Sequence, residues 1–276
     1  MGLKKIRTGL LELRLMILSS KKNIVKLAFS AIYYPICEDP QVQRSGIITV
    51  LVNGSQKEAI AELVAASWLL SKEKVFNEKM NGENLQIIVS HRETYINAIG
   101  QVDTPSPVHR YTRIFKTRFI GCEWLLDSCD KPIMQAKRPI RVGINAAYEE
   151  LYNTVTCPNI EYPLVISEHA LLRFCIRNSG GTPKRPWLAM ARMLGKKTMK
   201  EIELPEEIKQ LQYSKHNEET IILNNGGAMY FVCTPTCQQG KIKYLTVVTT
   251  YLRGSFELKE RIETYGSVNP KAWLTN

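Results

Sequence analysis

Acidic side chains are what this chain has little of. Its 276 residues carry 26 Asp and Glu against 37 Lys and Arg, a formal charge of +11 and a pI near 9.3. An excess of that size gathers polyanions and speeds their capture, so nucleic acid is the expected partner class and an anionic membrane surface the runner-up. The excess is clustered rather than spread, which favours nucleic acid. No apolar run is long enough to span a bilayer, and the N-terminal run is interrupted by Glu12 and Arg14 with no clean cleavage site after it. Neither a membrane span nor a secretory signal is expected. A glycine-rich phosphate loop and a nucleophile elbow are both missing, which argues against the nucleotide and ester chemistry those motifs support. Seven cysteines, odd in number and irregularly spaced, do not make a disulfide framework, so a reduced cytosolic or nuclear setting is expected, the cytoplasm first. No internal repeat is visible.

What is there reads as a folded α+β chain in three parts. Residues 1–26 carry seven basic side chains and one acid, and the expectation is a basic amphipathic helix. From Leu27 to Gly100 the order is strand, strand, helix, strand. The helix runs from Gln56 to Lys72 with Ala59, Leu63, Ala66 and Leu70 on one face, and Ser55 with Glu58 resembles a capping box. Pro105 and Pro107 then break the pattern. The stretch from Arg110 to Asp127 alternates basic and apolar residues, as an edge strand presenting Lys116 and Arg118 to nucleic acid would, or as a solvated face would. Cys157-Pro158 and Tyr162-Pro163 mark a linker, so the domains are expected at 27–155 and 156–276.

The helix segment AELVAASWLL followed by LQIIVSHRETYINAIG resembles the ribonuclease H family, in which a helix carrying a Glu precedes a strand ending in a catalytic Asp. Glu62 matches the helical Glu. The position of the Asp falls at Ser90-His91-Arg92 and holds no carboxylate, and the strand AFSAIYY lacks an acid as well. Two-metal hydrolysis needs several carboxylates to hold its cations. The resemblance therefore implies an α/β, ribonuclease H-like scaffold domain without metal chemistry, and neither metal nor cofactor is expected.

The second domain reads as helix, helix, then an antiparallel meander. Ser167 is the expected N-cap of the first helix, and Gly180-Gly181 its end. Between Arg173 and Lys200 lie eight basic residues and no acid. Arg177, Lys184, Arg185, Arg192, Lys196 and Lys197 are the expected phosphate contacts. Trp187 either stacks on a base or joins Met190 and Leu194 in the core. Cys233 and Cys237 could be half of a zinc site, but two more ligands are wanting, and free thiols across a turn are the plainer reading.

The segment SEHALLRF, the Gly-Gly break and the late VVTTY strand resemble small RelE-like and BrnT-like toxin ribonucleases that open with a Ser-x-His-Ala-x-x-Arg helix. That resemblance covers Ile166 to Arg253. It implies helices packed on an antiparallel sheet, metal-independent RNA cleavage and a protein partner such as an antitoxin. The residues themselves suit the chemistry, which needs a base for the 2′-hydroxyl, an acid for the leaving oxygen and a cation for the crowded phosphorane. Histidine is the side chain suited to gain and lose a proton around neutral pH, so His169 can serve as acid or base. Arg173, one turn on, can clamp a phosphate bidentately or simply pair with Glu168. Thr249 and Tyr251 share a strand face from which both can donate hydrogen bonds, with Lys243 beside them if no bulge intervenes. His216 is a second candidate. The expectation is thus a nucleic-acid-binding protein and metal-independent endoribonuclease. The alternative is a non-catalytic RNA- or DNA-binding or protein-capturing subunit of a larger, mobile-element or viral assembly.

Overall fold

The computed structural model describes residues 9–76, 81–101, 106–127, 133, 135–178, 181–203, 210, 213–214 and 220–252. The chain divides into two compact units, residues 1–154 and 155–276.

The first unit begins with three antiparallel strands, β1 (Leu10–Lys21), β2 (Ile24–Tyr34) and β3 (Gln41–Leu51). Helix α1 (Lys57–Ser71), strand β4 (Leu85–Val89) and helix α2 (Arg92–Ala98) follow. A 3₁₀ turn at His109–Thr112 leads into α3 (Arg113–Thr117), then β5 (Glu123–Leu126), β6 (Ile140–Asn145) and a second 3₁₀ turn at Ala146–Asn153. The six strands lie in the order β5-β4-β1-β2-β3-β6, with β4 parallel to β1, β5 parallel to β4, and β6 parallel to β3.

The basic N-terminal helix expected over residues 1–26 is not what Leu10–Lys21 forms; residues 1–8 lie outside the described residues. Leu11, Leu13 and Leu15 alternate with Glu12 and Arg14, a period of two that sends the leucines into the core. The segment is a central strand of the sheet, between β4 and β2. The expected edge strand carrying Lys116 and Arg118 is also corrected. Tyr111, Ile114 and Phe115 are buried there at helical spacing, and they belong to the 3₁₀ turn and α3, with buried Phe119 just beyond the end of α3. The edge strand is β5, a few residues on. Phe115 packs edge-on against its Trp124 with ring centroids 4.9 Å apart.

Helix α1 is buried on nearly every side, not along one stripe: Ala59 to Ser67 and Leu69 to Ser71 are all buried. Its cap differs from the Ser55 expected. Gln56 takes the N-cap position in a left-handed conformation, φ 58°, with no side-chain capping bond. Glu58, the other half of the expected box, accepts instead from the Ser20 hydroxyl on β1, which holds its carboxyl below the usual range.

The second unit holds β7 (Thr154–Val155, across the division), β8 (Leu164–Ile166), α4 (Glu168–Arg177) and α5 (Pro186–Leu194). Strands β9 (Lys200–Glu201), β10 (Ile221–Asn224), β11 (Met229–Gln238) and β12 (Lys241–Leu252) complete it. The sheet order is β7-β8-β12-β11-β10-β9. Strands β9 to β12 pair antiparallel, and β8 lies parallel to β12. Ala170, Leu171 and Phe174 of α4 and Met190 and Leu194 of α5 join Leu164, Ile166, Phe231, Leu245 and Val247 in one core. The protein is α+β overall, with an N-terminal α/β unit and a small unit of helices on a mostly antiparallel sheet.

A backbone contact fixes the far edge of the first sheet. A Cβ built on Gly46 would lie 2.0 Å from the Ile140 carbonyl oxygen. Gly46→Ala is expected to destabilise this unit by about 1–3 kcal/mol, the usual range for overpacking. The check is a lowered urea midpoint with an unchanged slope.

Candidate nucleic-acid interface

Helix α4 is placed by what precedes it. Ser167 accepts the Ala170 N–H at 3.1 Å as N-cap, and its own N–H donates to the Val247 carbonyl at 3.1 Å. Its hydroxyl donates to the Val248 carbonyl at 3.5 Å. Val248 is available because β12 bulges there: Val247 pairs with Cys233 and Thr249 with Val232, leaving Val248 unmatched. Glu168 in the first turn and Arg177 in the last suit the helix dipole.

With Ala170, Leu171 and Phe174 facing the core, His169, Arg173 and Arg177 fall at successive turns of the other side. His169 is exposed, and its Nε2 accepts a long hydrogen bond, 3.4 Å, from Arg173 Nε. Arg177 lies over the ring of Tyr251, 4.8 Å from its centroid. Burial first, and the charge of Arg173 second, hold the Arg177 guanidinium below its ordinary pKa, while Tyr251 acts the other way. Glu168 is exposed on the same helix, as are Leu172 and Ile176, 57% and 64% accessible.

The one-signed stretch continues from this helix. Lys184, Arg192, Lys196, Lys197 and Lys200 are exposed, and Arg185 is half-buried at the N-cap of α5. Among the described residues none of these six forms an ion pair with a carboxylate. Asn159 donates to the carbonyls of Lys197 at 2.5 Å and Met199 at 3.0 Å, which ties down the turn that carries Lys196 and Lys197.

Other expected residues fall elsewhere. Thr249 does not join the exposed stripe: it is 5% accessible and pairs with Val232 inside the sheet. Lys243 is itself an unmatched residue of a second bulge in β12, so strand alternation does not carry it to the side of Tyr251. Trp187 is half-buried and packs against the core of the unit. Cys233 and Cys237 lie along β11, the first buried and the second exposed, as free thiols on one strand rather than across a turn. Lys116 and Arg118 are half-buried in the other unit, and Arg118 lies over Phe119 at 5.3 Å. His216, Gly180 and Arg253 lie outside the described residues.

In the first unit the α1–β4 pair behind the ribonuclease H resemblance is present, and its chemistry is internal. Glu62 is wholly buried. Its carboxylate accepts from Ser90 N–H at 2.8 Å, Ser90 Oγ at 2.7 Å and His91 N–H at 3.2 Å. Ser90 Oγ in turn accepts from Ile17 N–H at 3.1 Å. The group thus ties α1, the end of β4 and β1 together. Burial pushes its carboxyl upward against those hydrogen bonds. The nearest ion pairs were not foreseen from sequence: Arg14 on β1 meets Asp127 at 2.9 Å and Glu12 at 3.5 Å. Their partners are 113 residues apart in one case, and no local pattern announces such a pair. Among the described residues no three His, Cys, Asp or Glu gather as a metal site, and no helix is long and apolar enough to cross a membrane.

No family model matches the chain, and no curated protein matches it. Among solved structures, a ribonuclease H1 from the halophilic archaeon Halobacterium salinarum NRC-1 aligns with 51% of this chain and 90% of its own. The identity is 13% and the TM-score 0.30. A likeness of that size does not bear on activity, and the fold class rests on the strand order and helices described above.

The buried Glu62 makes stability depend on pH in a stated direction. Its folded-state pKa is raised, so its contribution is fully present below the unfolded value and is lost as pH rises through the folded one. Glu62→Gln is expected to remove that fall. Urea midpoints at mildly acidic and mildly alkaline pH, compared between the two proteins, check it.

Proposed function

We propose that this is a nucleic-acid-binding protein whose second unit engages RNA through α4 and α5 and cleaves it without metal. The observation that carries the reading is the exposed His169 hydrogen-bonded to Arg173, at the head of a stretch of eight cations with no acid. His169 would act as acid or base toward the 2′-hydroxyl or the leaving oxygen, and Arg173 would stabilise the charge gathering on the phosphorus oxygens. Arg192, Lys196 and Lys197 would hold flanking phosphates. Of the groups expected in catalysis, buried Thr249 takes no part in this arrangement. The short SEHALLRF and VVTTY segments, which resemble those of RelE-like toxin ribonucleases, suggest the same chemistry, and an acidic protein partner would suit the same surface.

A second reading is favoured by Leu172 and Ile176, which stand exposed beside the cations. Nucleic acid has little use for two aliphatic side chains, and a protein partner would cover them. On that reading the chain captures a protein and binds nucleic acid weakly or not at all.

RNA incubated with the purified chain in excess EDTA is expected to be cut, and His169→Ala to slow cutting by about a hundredfold or more, as loss of a general acid or base does. Intact RNA, or cutting unaffected by the substitution, would sink the catalytic reading. Affinity should fall steeply with salt. Replacing Arg192, Lys196 and Lys197 together by Gln is expected to reduce the slope of log K against log salt by roughly 2–3, one phosphate contact being lost per side chain. An unchanged slope, or no binding at low salt, would favour the protein-capturing reading.

A further inference from the structure

Arg177 was expected among the phosphate contacts of the basic stretch, and Tyr251 beside Thr249 as a hydrogen-bond donor, with nothing joining the two. The structure stacks them. The guanidinium carbon of Arg177 stands 4.8 Å from the centre of the Tyr251 ring, and its Nη1 is shielded from solvent without a hydrogen-bond partner. Arg173 lies one turn earlier and commits its Nε to His169, which leaves its two terminal nitrogens for a ligand. Among the described residues no carboxylate pairs with either arginine. Two like charges one helical turn apart, one of them partly desolvated, repel each other. A phosphate relieves that repulsion by accepting from the N–H groups of the two arginines that solvent reaches.

We propose that Arg173 and Arg177 are the two arms of a clamp for a single phosphate group of a nucleic-acid strand, and that Tyr251 is the positioning residue that holds the second arm by its ring face. This rests on the reading of α4 as a nucleic-acid interface. A guanidinium lying over an aromatic ring keeps its N–H donors off the ring face, so those open to solvent meet a tetrahedral anion from the side. The ring does this work, and the hydroxyl is not required. The bulge at Val248 shapes the strand three residues before Tyr251, and Ser167 fastens the start of α4 to the same point. The strand that carries the ring and the start of the helix that carries the guanidinium thus meet at one local feature. The clamp adds a group to the site without adding a step to the chemistry, because it binds and orients the phosphate that His169 would act beside.

The test uses the full chain and inorganic phosphate, followed through the arginine Nε resonances, with RNA binding measured in parallel. Tyr251→Leu is expected to weaken phosphate binding about 3- to 10-fold, the worth of a partly desolvated cation–π contact, and Tyr251→Phe to restore it to within about twofold. Arg177→Gln is expected to abolish saturable binding. Circular dichroism and thermal unfolding confirm that each variant folds. Equal loss in Tyr251→Phe and Tyr251→Leu overturns the positioning role, because it would assign the effect to the hydroxyl. Phosphate binding indifferent to Arg177 overturns the clamp, whether or not RNA binds. Phosphate binding that follows Arg177 and the ring, in a chain that neither binds nor cuts RNA, upholds the clamp and removes the nucleic-acid reading instead.

Discussion

The second unit depends on one unmatched residue. Where β12 takes up Val248, its ladder with β11 slips, and the freed carbonyl accepts the Ser167 hydroxyl. That fastening fixes where β8 ends and in which direction α4 departs. Without the slip, Thr249 and Tyr251 would keep the alternation of Leu245 and Val247. With it, Thr250 takes its place opposite the buried Phe231, and Tyr251 comes under the last turn of α4. A local irregularity of the sheet thus decides which residues of β12 continue the face of Leu245 and Val247. Bulges often serve to re-aim a side chain in this way.

The first unit handles charge in the opposite manner. Among the described residues Lys184, Arg192, Lys196 and Lys197 of the second unit pair with no carboxylate, whereas Arg14 and Glu62 of the first are answered within the fold. Arg14 sits between Glu12 and Asp127, and Glu62 takes its hydrogen bonds from Ser90 and His91. A buried carboxylate satisfied by three donors is a structural fastener: its oxygens are occupied, and removing any donor would leave a charged group poorly solvated. Scaffold and surface are divided between the two units, and the division runs through electrostatics as well as through the chain.

Much of the fold was legible in the sequence wherever one period dominated. The helix around Leu63, the strands around Leu27 and Ile87 and the closing meander follow directly from spacing. The N-terminal strand was misread because its basic residues suggested a polar helix face, while the decisive signal was the alternation of Leu11, Leu13 and Leu15. The stretch around Lys116 failed for the reverse reason: alternating charges imitated a strand, and the positions of Ile114, Phe115 and Phe119 fitted a helix better. At the candidate site the turn-by-turn placing of His169, Arg173 and Arg177 was readable. The fate of Thr249, Lys243 and Tyr251 was not, because bulges break the parity on which strand arguments rely and nothing in the residues themselves marks them.

The order of strands in the first sheet also has a consequence for how the protein is made. Strand β5 lies at one edge and β6 at the other, so Leu126 and Ile140 stand the width of the sheet apart, about 24 Å at the usual strand spacing. Ala136 is held on the way by the Ser45 hydroxyl at 2.7 Å. During synthesis β3 is complete long before its outer neighbour exists. Until Asn145 has emerged, the β3 edge from Gly46 to Leu51 has no partner of its own. The nascent chain therefore carries an open sheet edge through the making of some ninety further residues, and it is in that interval, not in the finished fold, that this half of the protein is most exposed to pairing with the wrong strand.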